Sequence, residues 1–169
     1  RQVLHISTHG FYFSPPDKDS LLDVRRVQGN SFSKAVEPMM RSGLLLSGAN
    51  NIWTGRTPAD ISNDGVLTAY EIANLDFSNT ELVVLSACDT GLGDIDYSEG
   101  IYGLQRAFRL AGVRSMIISL WKVPDEETTA LMTAFYIAWT SGLPMKQAFE
   151  KAQMDLRKRY PEAVSYTHL

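Results

Sequence analysis

The chain is poor in cysteine, carries no excess of basic charge and has no long apolar run. One cysteine among 169 residues excludes an intrachain disulfide, and with it the small stapled domains of the extracellular space. A formal net charge of −3 and no dense run of Lys and Arg leave no footprint for a nucleic-acid backbone, so no nucleic-acid contact is expected. No charged-then-apolar leader opens the chain, and no apolar run is long enough to cross a bilayer. A cytoplasmic domain without a membrane partner is the expectation. Three histidines without further ligand-type residues at suitable spacing give a zinc site no support, and no other cofactor is expected. "GLGD" at 91–94 is too short and too acidic for a phosphate loop. Internal repeats and low-complexity tracts are absent.

What is present is ordinary globular composition, 44% hydrophobic and 21% charged, enough for one domain with a substantial core. The chain opens on "RQVLHIST", at the threshold of a strand and without Met. Residues 1–160 therefore read as a domain excised from a longer protein, and 161–169, without clear pattern, as a tail of doubtful origin. "QVLHISTHG" predicts a strand running into a Gly-bearing turn. Residues 14–42 read as a long irregular excursion, and "SGLLLSGAN" (42–50) as a short strand. Asn63-Asp64-Gly65 is a turn signal, and Thr68 with Glu71 has capping-box spacing for a helix start.

"TELVVLSAC" is the nearly unbroken apolar run of a strand covered on both faces. "EGIYGLQRAFRLAGV" places Ile101, Leu104, Phe108 and Ala111 on one helical face, with Gly112 as the stop. "RSMIISLWKV" reads as a further buried strand, and Pro124-Asp125-Glu126 open a helix over "DEETTALMTAFYIAWTSG". The last helix, "MKQAFEKAQMDLRKRY", is apolar at Ala148, Ala152 and Leu156 and basic at its C-terminal turns, as its dipole favours. Strands alternating with helices predict an α/β architecture, a mainly parallel sheet with helices on both faces.

In such a sheet ligands gather beyond the C-terminal ends of the strands. His9 follows "VLHIST" and Cys88 follows "LVVLSA". If the two strands are neighbours, imidazole and thiol face one crevice. A thiol of ordinary pKa is only about 3% thiolate at neutral pH. An imidazole beside it deprotonates it or holds the thiolate by charge, and later protonates a leaving amine. Gly10 lets its backbone N–H approach a substrate, and with the N–H of Cys88 it would form an oxyanion hole. On composition alone a free Cys is as readily a buried structural residue, so spacing leaves both roles open. His5, inside the first strand, reads as a packing residue, and His168 is given no role. "DTG" at 89–91 matches the aspartic-protease triplet, but that chemistry needs a second carboxylate and an all-β fold.

The blocks "HISTHG", "LLLSGAN", "DGVLTAYEIANLD", "VVLSACDTGLGD", "EGIYGLQRAFRLAGVRSMIISLWKVPDEETTALM" and "MKQAFEKAQ", in this order and spacing, resemble the CHAT domain. This is a caspase-like family in the clan of caspases, separases and gingipains. The resemblance implies a caspase–haemoglobinase-like three-layer sandwich, a mainly parallel sheet flanked by helices. It further implies a cysteine peptidase dyad of His9 and Cys88, with the oxyanion held by the amides of Gly10 and Cys88. That moves Cys88 from structural filler to nucleophile. In this clan the dyad often forms no tight ion pair, which leaves His9 mainly as acid to the leaving group.

In separase-like relatives a Trp-Asp-Val segment and nearby acids recognise a basic P1 residue. Here Trp121-Lys122-Val123-Pro124-Asp125 puts a Lys in place of the first acid. Asp125 and Trp121 are candidate substrate-binding residues, although Asp125 equally reads as a helix N-cap. Asp89 is a third candidate, with turn stabilisation as its alternative role. Family members commonly continue into an aromatic-rich final segment that "YPEAVSYTHL" replaces.

The implied partners are a polypeptide substrate and an upstream helical-repeat region, tetratricopeptide-like, or a regulatory protein. A bacterial regulatory or defence peptidase is the expectation. A catalytically silent caspase-like interaction module is the alternative, and a thiol amidase on an α/β sheet a weaker third.

Overall fold

The computed structural model describes residues 2–13, 37–50, 64–86, 97–119 and 125–160. In chain order the elements are β1 (Gln2–Ile6), β2 (His9–Tyr12), a 3-10 turn at Pro38–Met40, β3 (Ser42–Leu45), β4 (Val66–Thr68) and α1 (Ala69–Ala73). There follow β5 (Thr80–Leu85), α2 (Tyr97–Leu110), β6 (Ser115–Ile118), α3 (Asp125–Thr140) and α4 (Met145–Arg159). The chain divides into two compact units, one up to Leu120 and one from Trp121 onward.

In the first unit the apolar run Thr80–Leu85 becomes the middle strand of a three-stranded sheet, ordered β1-β5-β6 and parallel throughout. A central parallel strand must be apolar on both faces, and this one is. Val83 and Leu85 join Leu44, Ala69, Ile72, Leu104, Ala107, Phe108 and Val113 in the main core. Leu82 and Val84 alternate to the opposite face and are buried as well. The fold is mixed α/β with a parallel sheet flanked by helices, compatible with the caspase-like expectation. β6 corrects one reading. It is a half-buried edge strand, because nothing pairs on its outer side among the described residues.

Helix α2 forms where its apolar residues recur every three to four positions. Ile101, Leu104, Ala107 and Phe108 are all buried. The helix ends at Gly112, whose φ of 97° suits a residue without Cβ. Gly112 N–H donates to Arg109 O at 3.0 Å and Val113 N–H to Phe108 O at 3.0 Å. These are the two bonds of a Schellman motif, and Val113 packs back into the core as that motif requires. Helix α1 starts with the capping box the sequence predicts. Glu71 N–H donates to Thr68 Oγ1 at 3.2 Å, and Thr68 N–H returns a bond to Glu71 Oε2 at 2.8 Å.

A second sheet, antiparallel and ordered β2-β3-β4, adds to the parallel one; of its strands the sequence reading anticipates β3, within the strand read over 42–50. Its middle strand depends on Gly43. A Cβ there would stand 2.4 Å from Leu67 O and 2.7 Å from the Phe11 ring, closer than real side chains approach. Asp64 Oδ1 accepts from Val66 N–H at 2.8 Å, the Asx turn that delivers the chain into β4.

The second unit is a helical hairpin. Phe135 on α3 stacks with Trp139 (centroids 5.5 Å apart, 17° between planes) and takes the edge of Phe149 from α4 (5.6 Å, 86°). Ala148, Ala152 and Leu156 form the buried stripe of α4, as their spacing predicts. Arg157, Lys158 and Arg159 fill its last turn, where the helix dipole favours cations.

Candidate active site

The question posed by the sequence is whether the strands leading to His9 and Cys88 are neighbours. They are. β1 and β5 pair in parallel register, with His5 opposite Val84 and Ile6 opposite Leu85. Beyond the ladder, Ser86 N–H donates to Ile6 O at 2.9 Å, so the two strands stay joined to their C-terminal ends. His9 stands three positions after Ile6, and Cys88 three positions after Leu85. Both candidate residues thus follow adjacent strand ends on the side of a parallel sheet where ligands collect.

The structure corrects the local conformation around His9. The predicted Gly-bearing turn is a strand start. His9 opens β2 opposite Leu45, and Gly10 lies within the strand opposite Leu44. The bend falls earlier, at Ser7-Thr8, where the Thr8 hydroxyl donates to Leu45 O. That bond ties the exit of β1 to the ladder holding His9, so Thr8 sets where the imidazole emerges. The His9 side chain is exposed and Gly10 is buried.

His5 also departs from expectation. It lies exposed on β1 rather than in the core; among the described residues only β5 pairs with that strand. Its Nε2 is 3.2 Å from Ser86 Oγ. Partial burial nevertheless pushes its pKa below the ordinary value of 6.5, since a charged ring gives up hydration there. The pairing was accessible in principle, because both residues are polar at strand positions sharing one face. It required the β1–β5 register, which no local signal fixes.

Cys88, Asp89 and Trp121 lie outside the described residues, as does most of the 14–42 excursion. Asp125 is the first residue of α3 and shares its first turn with Glu126 and Glu127. Acidic residues there complement the helix dipole, and as the first helical residue Asp125 is not the N-cap itself. Among the described residues no group of three His, Cys, Asp or Glu stands together to hold a metal ion. No helix among them is long and apolar enough to cross a membrane.

The CHAT domain family model matches residues 1–166, nearly the whole chain. The chain belongs to the CHAT domain family. This CHAT domain is therefore a member of a caspase-like, peptidase-related family. It is similar to tetratricopeptide repeat protein 28 of Mus musculus, 32% identical over 87 residues, covering 52% of this chain and 4% of that protein. The Homo sapiens protein of the same name is 31% identical over 87 residues, covering 52% of this chain and 3% of its own length. The CHAT domain thus spans a small fraction of these relatives. No solved structure matches it significantly.

Proposed function

We propose that this CHAT domain is a cysteine endopeptidase module using His9 and Cys88. The observation that supports the reading most is the parallel pairing of β1 with β5, which brings the strands preceding both residues side by side. The Cys88 thiol passes its proton to His9 as the sulfur attacks the scissile carbonyl carbon and a C–S bond forms. The oxyanion is met by the N–H groups of Gly10 and Cys88. The C–N bond then breaks, and His9 gives its proton to the leaving amine. Water attacks the thioester and loses a proton to His9, the acid product leaves, and the thiolate takes that proton back.

Asp89, Trp121 and Asp125 are the proposed substrate contacts, with Asp125 favouring Arg or Lys at P1. A reducing, cytoplasmic setting suits a free catalytic thiol. The names of the mammalian relatives support an upstream tetratricopeptide region as the regulatory partner. The test uses the full-length protein and a panel of peptidyl acyloxymethyl ketones bearing Arg, Lys or Asp at P1. Preferred labelling by the basic probes is expected. Equal labelling by all three removes Asp125 from the S1 pocket, and no labelling by any favours the silent interaction module.

A further inference from the structure

Arg41 has no part in the chemistry above, and it is a charge buried without a counterpart. It follows the 3-10 turn at Pro38–Met40 and leads directly into β3. The residue keeps 7% of its exposure. Among the described residues no hydrogen-bond partner meets its Nε, which is closed to solvent, and no carboxylate pairs with the guanidinium. Glu37, the described acid nearest in sequence, is exposed. A guanidinium does not shed its proton to escape burial, and a buried charge without a partner is costly. Buried polar groups in folded proteins are nearly always bonded, so this one asks for an anion.

The backbone holds the side chain where it is. Phe13 N–H donates to Arg41 O at 2.8 Å, which extends the β2–β3 ladder by one pair beyond Tyr12 and Ser42. Ser42 is buried to 1% exposure, and a Cβ on Gly103 of α2 would stand 2.7 Å from its Oγ. Ladder and helix thus clamp the chain at 41–42. Paired residues share one face of an antiparallel sheet, so Arg41 stands on the face of Phe13. Beside that pair the face is apolar, with Phe13 and Leu45 packed on Phe11, Ala49 and Val66. A charge-assisted bond formed next to such a cluster is stronger than one in water. The pair closes the ladder, and the neighbouring Met40 is exposed, which puts Arg41 at the rim of the sheet.

We infer that Arg41 is the seat of a carboxylate-binding site, in which Nε and one terminal nitrogen donate side-on to the two oxygens of a ligand carboxylate. A phosphate would carry more charge and more bound water onto an apolar face, at a higher desolvation cost. The carboxylate comes from a free small molecule or from an acidic side chain of a polypeptide, two sources of one chemistry. No group of the proposed dyad takes part, so the inference stands or falls apart from that reading.

The test uses the full-length protein, with binding read by isothermal titration calorimetry and stability by thermal melting in a buffer free of carboxylates and phosphate. The probes are glutarate, its neutral counterpart glutaramide, inorganic phosphate, and a capped Ala-Ala-Glu-Ala-Ala peptide with its Gln counterpart. Wild type is compared with Arg41→Met, which drops the charge, and Arg41→Lys, which keeps the charge and drops the fork. Glutarate or the Glu peptide should bind wild type and raise its melting midpoint, while glutaramide and the Gln peptide do not. Arg41→Lys should lose roughly tenfold or more in affinity, the worth of a hydrogen bond to a charged group, and Arg41→Met should lose the binding. Without ligand, Arg41→Met should melt at or above wild type, because it removes a buried charge that lacks a partner. Tighter binding of the Glu peptide than of glutarate assigns the site to a polypeptide, and any other order of the two to a free carboxylate.

Binding of neither carboxylate probe overturns the inference, and so does binding that Arg41→Met or Arg41→Lys leaves unchanged. Phosphate bound as tightly as glutarate overturns the carboxylate class. An Arg41→Met midpoint far below that of wild type, or failure of that variant to fold, shows that the guanidinium already has a partner within the fold, and overturns the site as well.

Discussion

Partial burial lowers the His5 pKa below 6.5, and the sign of its effect on stability follows. Between the folded and the unfolded value the unfolded chain binds more protons than the fold does, so stability rises with pH across that interval. The contribution is complete above about pH 6.5 and is lost as pH falls toward the folded value. Melting of wild type and His5→Gln as a function of pH checks this. The difference between their midpoints should be constant above about pH 6.5 and move against wild type below it. Parallel curves throughout would show that the imidazole titrates alike in both states. His5 also marks where residue-level reading stops. A histidine inside an apolar strand reads as a packing residue, and the structure leaves it exposed. Arg41, within the stretch that reads as an irregular excursion, is buried.

At the scale of elements, signals local in sequence translated well and pairings distant in sequence did not. The Thr68–Glu71 box, the Gly112 stop and the buried stripe of α4 each depend on residues within one or two turns. β5 was legible for another reason, since a strand apolar on both faces admits few places other than the middle of a parallel sheet. β2 and β4 were not legible. His9-Gly10 has turn-like composition, and Val66–Thr68 is too short to show a period. Both are strands because β3 offers them a ladder.

The capping box supplies an element-scale prediction. Thr68→Ala removes the acceptor for Glu71 N–H and leaves the Glu71 carboxylate with only the Thr68 backbone N–H. A loss of about 0.5–2 kcal/mol is expected in denaturant titration. No loss would mean that α1 is held by packing of Ala69 and Ile72 alone.

At the scale of the molecule, the main core joins strands β3 and β5 to helices α1 and α2 through Phe108, which is fully buried. Phe108→Ala should therefore cost about 3–5 kcal/mol in urea unfolding, a large part of the total stability of a domain this size. A cost below about 1 kcal/mol would mean that the site collapses around the lost ring. The α/β class was legible because strands and helices alternate along the chain. The second, antiparallel sheet was not, because it is built from strands far apart in sequence. Adjacent strand ends could be anticipated as a condition, and the β1–β5 register meets it.

The central claim is that Cys88 is a nucleophile, and intact-mass analysis after treatment of the full-length protein with a peptidyl acyloxymethyl ketone tests it most directly. The account predicts one adduct per chain, located on the peptide containing Cys88 and absent from Cys88→Ala. An adduct of the same mass that persists in Cys88→Ala would contradict it.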